Sequence, residues 1–308
     1  DAMSHLGVAK DVAAYLAIHD NRENIMKYPY TNDFNKDRQG TEIEVKIENT
    51  QACQRYCGVV IDDIVVKESP AWLKNRLQSI GLRAINNIVD ITKFILHETG
   101  QPLHAFDADK IKGNAVIVKN LPAGTPFITL DEKERKVGAD DIMICNGAGE
   151  PMCFGGVFGG LESGVTAATK RIFLESAWFN PVTIRKTSFG HNLRTDTATR
   201  FEKGVDISNT ANVLKRAALL IKEIAGGTIS SDLIDVYPDP KPKKQVTLTY
   251  KYLRRLSGKE YAPAAVKKVL TSLGFDIIRE NKEEITVAAP FSKPDIELPA
   301  DIVEEIMR

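Results

Sequence analysis

The sequence predicts an α/β protein of the α+β type with a mixed sheet, followed by a second, smaller α+β domain. Three observations lead there. Short strand-like runs are interleaved with helices that carry their own start and stop signals. The length, 308 residues, suits one large domain with an appendage. The segment VYPDPKPKK, 236–244, is rich in proline and lysine and divides the chain at that point.

Taken in order, residues 1–19 read as a helix with Ser4 as N-cap, and residues 20–40 are polar and aperiodic, as a linker is. From Glu42 the chain alternates Ile43, Val45 and Ile47 with Glu42, Glu44 and Lys46, the period of a half-buried strand. A second strand is expected over Cys57 to Val66. Ser69 and Pro70 supply an N-cap and a first-turn proline, and Gly81 a stop, for a helix whose core face is Leu73, Leu77 and Ile80. Residues 81–107, GLRAINNIVDITKFILHETGQPLHAFD, read as an amphipathic helix, a Gly-Gln-Pro turn and a His-Ala-Phe-Asp tetrapeptide. Strands follow at 115–119, 126–131, 141–145 and 171–179, and Asn180-Pro181 caps a further helix. A long helix over 207–225 stops at Gly226-Gly227. In the small part, strands at 246–250 and 285–289 accompany helices near 250–257 and 263–273 and a last helix from Pro299.

Composition narrows the function classes. Forty-one basic and forty-one acidic residues cancel, whereas a free-standing nucleic-acid binder carries a basic excess. Any RNA contact is therefore local or supplied by other parts of an assembly. No run of 18 apolar residues is present to span a membrane, and the first residues lack the basic and apolar regions of a signal peptide. Cys53, Cys57, Cys145 and Cys153 lack metal-site spacing and read as unpaired core thiols in a reducing compartment. The start on Asp1 and the end inside an uncapped helical pattern suggest a piece of a longer chain.

Five features carry candidate chemistry. Asn86, Asn87, Asp90 and Thr92 form a polar string inside a helical pattern, where such residues weaken the helix. His104, taken alone, fits a hydrogen-bonded structural histidine as well as a functional one. The run GGVFGG, 155–160, matches neither a Walker loop nor a dinucleotide fingerprint. It reads either as a turn or as a place where a ligand nears the backbone with its amides exposed. Glu175 lies in the apolar run FLESAWF, so it is either solvent-facing or buried with a dedicated partner. Near the end, Asp301, Glu304 and Glu305 are spaced for one helix face, with Asp295 just before, in a helix start that favours acids anyway.

The stretch 81–107, followed in the same order by GGVFGGLESGV (155–165), FLESAWF (173–179) and RTDTATRFEKGVD (194–206), resembles the editing module of bacterial phenylalanyl-tRNA synthetase beta chains. The likeness extends over the whole chain. It implies the tail of an N-terminal module at 1–20, a linker at 21–40, an editing domain at 41–237, and a winged-helix-like domain at 238–308 truncated at its C-terminus. The implied editing pocket comprises Arg83, Thr92, His104, Gly156, Gly159, Glu175, Thr195 and Thr197, with Glu175 reading the phenol hydroxyl of a tyrosyl group. Two positions depart from the pattern. Lys93 stands where many relatives have Asn, and Thr197 where Ala commonly limits side-chain size.

The resemblance also implies an Mg²⁺ site, shared with the alpha chain, on Asp295, Asp301, Glu304 and Glu305. The implied whole is a cytoplasmic ligase of two alpha and two beta chains that joins phenylalanine to tRNA(Phe) with ATP, its synthetic site in the alpha chain. The reaction implied for this segment is hydrolysis of the ester in tyrosyl-tRNA(Phe) by water, with no cofactor. A hydrophobic pocket rejects an isostere bearing one added hydroxyl only about 10²-fold, which is the reason for a second sieve. A free-standing aminoacyl-tRNA deacylase and a non-catalytic scaffold for tRNA or subunits are the alternatives.

Overall fold

The computed structural model describes residues 2–20, 26–29 and 31–308, and the chain divides into two compact units. One unit is Pro29–Asp239; the other joins Asp1–Tyr28 to Pro240–Arg308. In chain order the elements begin with α1 (His5–His19), β1 (Glu44–Ile47), β2 (Cys53–Asp62), α2 (Ala71–Ser79), α3 (Asn87–Thr99) and β3 (Leu103–Asp107). Next come β4 (Ala115–Asn120), β5 (Pro126–Ile128), β6 (Glu134–Lys136), β7 (Ile142–Asn146), β8 (Pro151–Phe154), β9 (Phe158–Gly159) and β10 (Ile172–Phe179). The larger unit closes with α4 (Pro181–Gly190), α5 (Asp196–Lys203), α6 (Thr210–Ala225), β11 (Thr228–Ile229) and β12 (Ile234–Val236). The chain ends with β13 (Gln245–Thr249), α7 (Tyr250–Ser257), α8 (Pro263–Ser272), β14 (Asp276–Glu280), β15 (Glu284–Ala288) and α9 (Pro299–Met307).

The larger unit is layered. One sheet runs β1-β4-β7-β8-β9, with β1 parallel to β4 and the remaining pairs antiparallel, so the sheet is mixed as expected. A second, antiparallel sheet runs β11-β2-β10-β3, and β12 also pairs with β2. The period-2 geometry of β10 serves two cores at once. Phe173, Ala177 and Phe179 face the first sheet with Tyr56, Phe106 and Phe154. Ile172 and Leu174 face the other way, onto Ile88, Ile91 and Ile95 of α3 and Leu214, Ala218 and Ile221 of α6. Because β10 is covered on both faces, its sequence is nearly all apolar.

Several expectations shift. The second strand starts at Cys53, not Cys57, and Asp63 with φ 58° stops it. Arg55, too polar to signal a strand, is held there by Asp235 at 2.7 Å. Ser69 is not the cap of α2: Pro70 holds that position without a side-chain bond, while Ser69 Oγ donates to Asp90 at 2.6 Å. Leu73 and Leu77 are buried as expected, but Ile80 lies beyond the last turn and is exposed. The His-Ala-Phe-Asp tetrapeptide forms the edge strand β3. The polar segment before β1 is not a free tether, since Asp37 and Gly40 bond the backbone of Ile229 and Ser230. Residues 21–25 and 30 of the expected linker lie outside the described residues.

In the other unit, β13-β15-β14 form an antiparallel sheet packed with α7, α8 and α9 around Leu248, Leu270, Val287 and Ile302. The helix α1, capped by Ser4 as expected, belongs to this unit. No helix among the described residues is long and apolar enough to cross a membrane.

Candidate functional site

The polar string of α3 turns out to build the scaffold of a cleft. Asn86 caps the helix by accepting from Val89 N, and Asn87 bridges Lys67 N and Val65 O. Asp90 accepts from Ser69 Oγ and from Ile85 N at 2.8 Å. These side chains anchor the loops on either side of α2 to α3, the use for which Asn and Asp are suited. Gly100, with φ 82°, ends α3 and reverses the chain. Gln101 Nε2 then donates to Ala177 O at 2.8 Å, fixing where β3 meets β10.

That docking sets the central pair. In the antiparallel register His104 lies directly opposite Glu175, and Gly58 of β2 lies opposite Glu175 on the other side. Directly opposed side chains share one face of a sheet. Both border a cleft of about 260 Å³. Ligand pockets for drug-sized molecules run to about 300–1,000 Å³, so this volume suits a smaller group. Apolar walls come from Leu96, Leu130, Phe158 and Phe201, and polar groups from Glu175, His104, Lys93 and the start of α5.

Glu175 is 5% exposed, which settles the two sequence readings in favour of burial with a partner. Tyr56 Oη donates to its Oε2 at 2.7 Å. Burial pushes the carboxyl up to about 8, opposed by the Tyr56 bond, so at pH 7 it is mainly the neutral acid. His104 is pulled down to about 4 by burial and is a neutral imidazole. Its Nε2 is buried without a hydrogen-bond partner, and its ring meets Phe106 edge-on at 4.4 Å. The pair Glu175 and His104 thus presents two uncharged polar groups in a largely apolar wall, with Lys93 and Asp196 the charged members of the lining.

The glycine run lines the same cleft. Gly156 has φ 68°, and a Cβ there would lie within 3.0 Å of Ile184, Phe179 and Phe201. A Cβ on Gly159 would sit 3.0 Å from His104 Cε1 and 2.9 Å from Leu130. Close packing is therefore the reason for glycine at both positions. The expectation of exposed loop amides is not met at three of them: Gly155, Val157 and Gly160 donate to Ile142, Phe154 and Met152 carbonyls.

Of the eight pocket residues expected from the sequence, His104, Gly156, Gly159, Glu175, Thr195 and Thr197 line this cleft, and so does Lys93. Arg83 and Thr92 do not. Arg83 is exposed, and its carbonyl accepts from Lys93 Nζ at 3.2 Å. Thr92 Oγ1 donates to Val89 O within α3. Thr195 caps α5 by accepting from Ala198 N, and its hydroxyl donates to Val157 O at 2.9 Å, tying the helix start to the glycine loop. Tyr56 was not singled out from the sequence. Nothing about a tyrosine in an apolar strand signals a contact 119 residues away.

The C-terminal acids have separate tasks. Asp301 Oδ2 accepts from Glu297 N and Leu298 N at the start of α9. Glu305 is buried against Lys293, itself 5% exposed, at 2.9 Å. Asp295 and Glu304 are exposed. Among the described residues no group of three or more His, Cys, Asp or Glu side chains is arranged to hold a metal ion. The set does not fit an ion within this chain.

A family model described as the B3/4 domain matches residues 52–226, which contain the cleft, and one described as the tRNA synthetase B5 domain matches residues 246–308. Among curated relatives, the phenylalanine–tRNA ligase beta subunit of Bacteroides thetaiotaomicron is 48% identical over 308 residues, all of this chain and 37% of the relative. The proteins of that name from Porphyromonas gingivalis and Carboxydothermus hydrogenoformans are 48% and 41% identical, again over all of this chain and 37% and 38% of their own lengths. The chain therefore spans well under half the length of these relatives. The chain belongs to the B3/4 domain family, carries a tRNA synthetase B5 domain after it, and corresponds in sequence to a segment of phenylalanine–tRNA ligase beta subunits.

Proposed function

We propose that this chain is part of a phenylalanine–tRNA ligase beta subunit and that the cleft between β3, β10 and the glycine loop hydrolyses the ester of tyrosyl-tRNA(Phe). The observation that carries the reading is Glu175: a buried carboxyl at the wall of a largely apolar cleft of about 260 Å³. One of its oxygens accepts from Tyr56, which leaves the other for the hydroxyl of a tyrosyl group. Phenylalanine in the cleft would leave that oxygen without a partner, and an unmade buried hydrogen bond costs about 1–3 kcal/mol. His104, neutral and with Nε2 uncommitted, stands directly across from Glu175, where it can hold water or the ester.

In this reading the rest of the ligase supplies synthesis. The alpha chain provides the ATP and phenylalanine site, two alpha and two beta chains assemble in the cytoplasm, and tRNA(Phe) is the shared substrate. Asp295, Asp301, Glu304 and Glu305 would meet Mg²⁺ only with ligands from the alpha chain. The test is deacylation by this chain of tyrosyl-tRNA(Phe) beside phenylalanyl-tRNA(Phe). Faster loss of the tyrosyl ester is expected; equal rates, or none above buffer, would refute the editing assignment.

A further inference from the structure

A macromolecular ester needs more than a cleft, because the nucleic acid carrying it must be held at the rim. The chain is formally neutral overall, so any such holding has to be local. Phe189 is 56% exposed on the last turn of α4. The Arg194 guanidinium lies 4.3 Å from the centre of its ring and that of Arg185 5.7 Å. Lys186 is exposed beside them. Arg194 meets one carboxylate, Glu202 at 3.7 Å, and among the described residues Arg185 and Lys186 have none. Asp196, two residues after Arg194, is engaged by Arg200 at 3.5 Å. The next residue after Arg194 is Thr195, which lines the cleft. The set is thus an exposed ring flanked by two guanidinium groups, of which among the described residues only Arg194, one residue in sequence from the cleft lining, meets a carboxylate. It is the composition with which single-stranded nucleic acid is bound, cations for phosphates and stacked planes for bases.

We propose that Phe189, Arg185 and Arg194 form the landing surface for the single-stranded 3′ end of the tRNA whose ester enters the cleft; this rests on the editing reading given above. The ring keeps the two guanidinium groups extended, so incoming phosphates meet cations already in place, and a base continues the stack. The pair of helices α2 and α3 offers a weaker rival. There Trp72, 41% exposed, stands edge-on to Phe94 at 5.5 Å with Arg76 nearby. Phe94 is packed on the apolar core, so that pair is partly committed to folding.

The test measures tRNA(Phe) binding by fluorescence anisotropy and the KM and kcat of tyrosyl-tRNA(Phe) hydrolysis, in this chain and in two variants. Phe189→Ala with Arg185→Gln and Arg194→Gln should weaken tRNA binding at least about fivefold, the low end for removing one stack. It should raise KM more than it lowers kcat. The log–log salt dependence of binding should become shallower by about 0.7 for each phosphate no longer neutralised. Trp72→Ala with Arg76→Gln should change binding less than twofold. Weaker tRNA binding by the first variant without any hydrolysis by the parent chain would leave the landing surface standing and remove the editing reading. Hydrolysis with unaltered binding in the first variant, a larger effect of the second, or no binding of tRNA(Phe) by the parent chain would each overturn the proposal.

Discussion

Glu175 concentrates the physics of this protein in one residue. Its burial keeps it mainly protonated at pH 7. The consequence for selectivity is testable. Glu175→Ala should reduce the preference for the tyrosyl over the phenylalanyl ester about tenfold, the value of one buried hydrogen bond, while Glu175→Gln, which keeps the shape and a carbonyl acceptor, should retain part of it. An unaltered ratio in the alanine variant would assign the hydroxyl to another group. In the parent chain the ratio should rise as pH passes about 8, because the ionised carboxylate is the stronger acceptor. A second outcome concerns stability. The folded carboxyl binds its proton up to about 8 and the unfolded one only to about 4.5, so over that window the native state holds more protons. Stability should therefore fall as pH rises from about 4.5 to about 8, by up to about 1.4 kcal/mol per pH unit from this group. Glu175→Gln, neutral at every pH, should flatten this slope in urea titrations; an unchanged slope would show that Glu175 is not its source.

At the scale of elements, the site depends on how β3, β10 and the glycine loop are brought together. β3 places His104 against Glu175 only because Gly100 and Gln101 fix where the chain leaves α3, and a slip of one residue would turn His104 to the opposite face. Gly156 closes the other side. Gly156→Ala adds a methyl within 3.0 Å of three core side chains at a φ of 68°, and should destabilise the fold by about 2–4 kcal/mol in chemical denaturation. Gly159→Ala meets the ends of two side chains instead, Leu130 Cδ1 and His104 Cε1. Its expected signature is abolished deacylation at a stability within about 1–2 kcal/mol of the parent. Loss of folding at Gly159 and not at Gly156 would reverse this assignment of packing and site.

For the whole molecule, the two units keep different kinds of charge. The larger unit buries Glu175 with no cation paired to it among the described residues, whereas the unit holding α9 buries Glu305 against Lys293, with Asp11 and Arg308 alongside. Breaking such a buried pair from one side leaves an uncompensated charge, typically costing about 3–5 kcal/mol. With Asp301 bonded to two amides as well, only Asp295 and Glu304 are left exposed to solvent among the four acids. Calorimetric titration of this chain with MgCl2 should therefore show no tight binding, since Mg²⁺ needs near-octahedral oxygens. A submillimolar dissociation constant would show that the acids rearrange into a complete site without another chain.

The sequence by itself determined the alternation of strands and helices, the Asn180 and Ser4 caps, the glycine stops and the break near residue 240. Each of these depends on neighbours a few residues apart, through periodicity, backbone φ or a side chain reaching its own amides. It also marked His104, the glycines, Glu175, Thr195 and Thr197, because their order along the chain carries a resemblance. What it could not supply were relations across long separations. The strand β3 is short and lies at an edge, so its pattern is weak until β10 pairs with it. The polar string of α3 looked like chemistry and is largely anchoring, since caps and cleft linings use the same residue types. Tyr56 on Glu175, the protonation of that carboxyl, the position of Arg83 and Thr92 outside the cleft, and the pairing of Glu305 with Lys293 were decided by tertiary structure alone. Desolvation and ion pairing depend on which groups the fold encloses together, and that enclosure is a property of the packed chain.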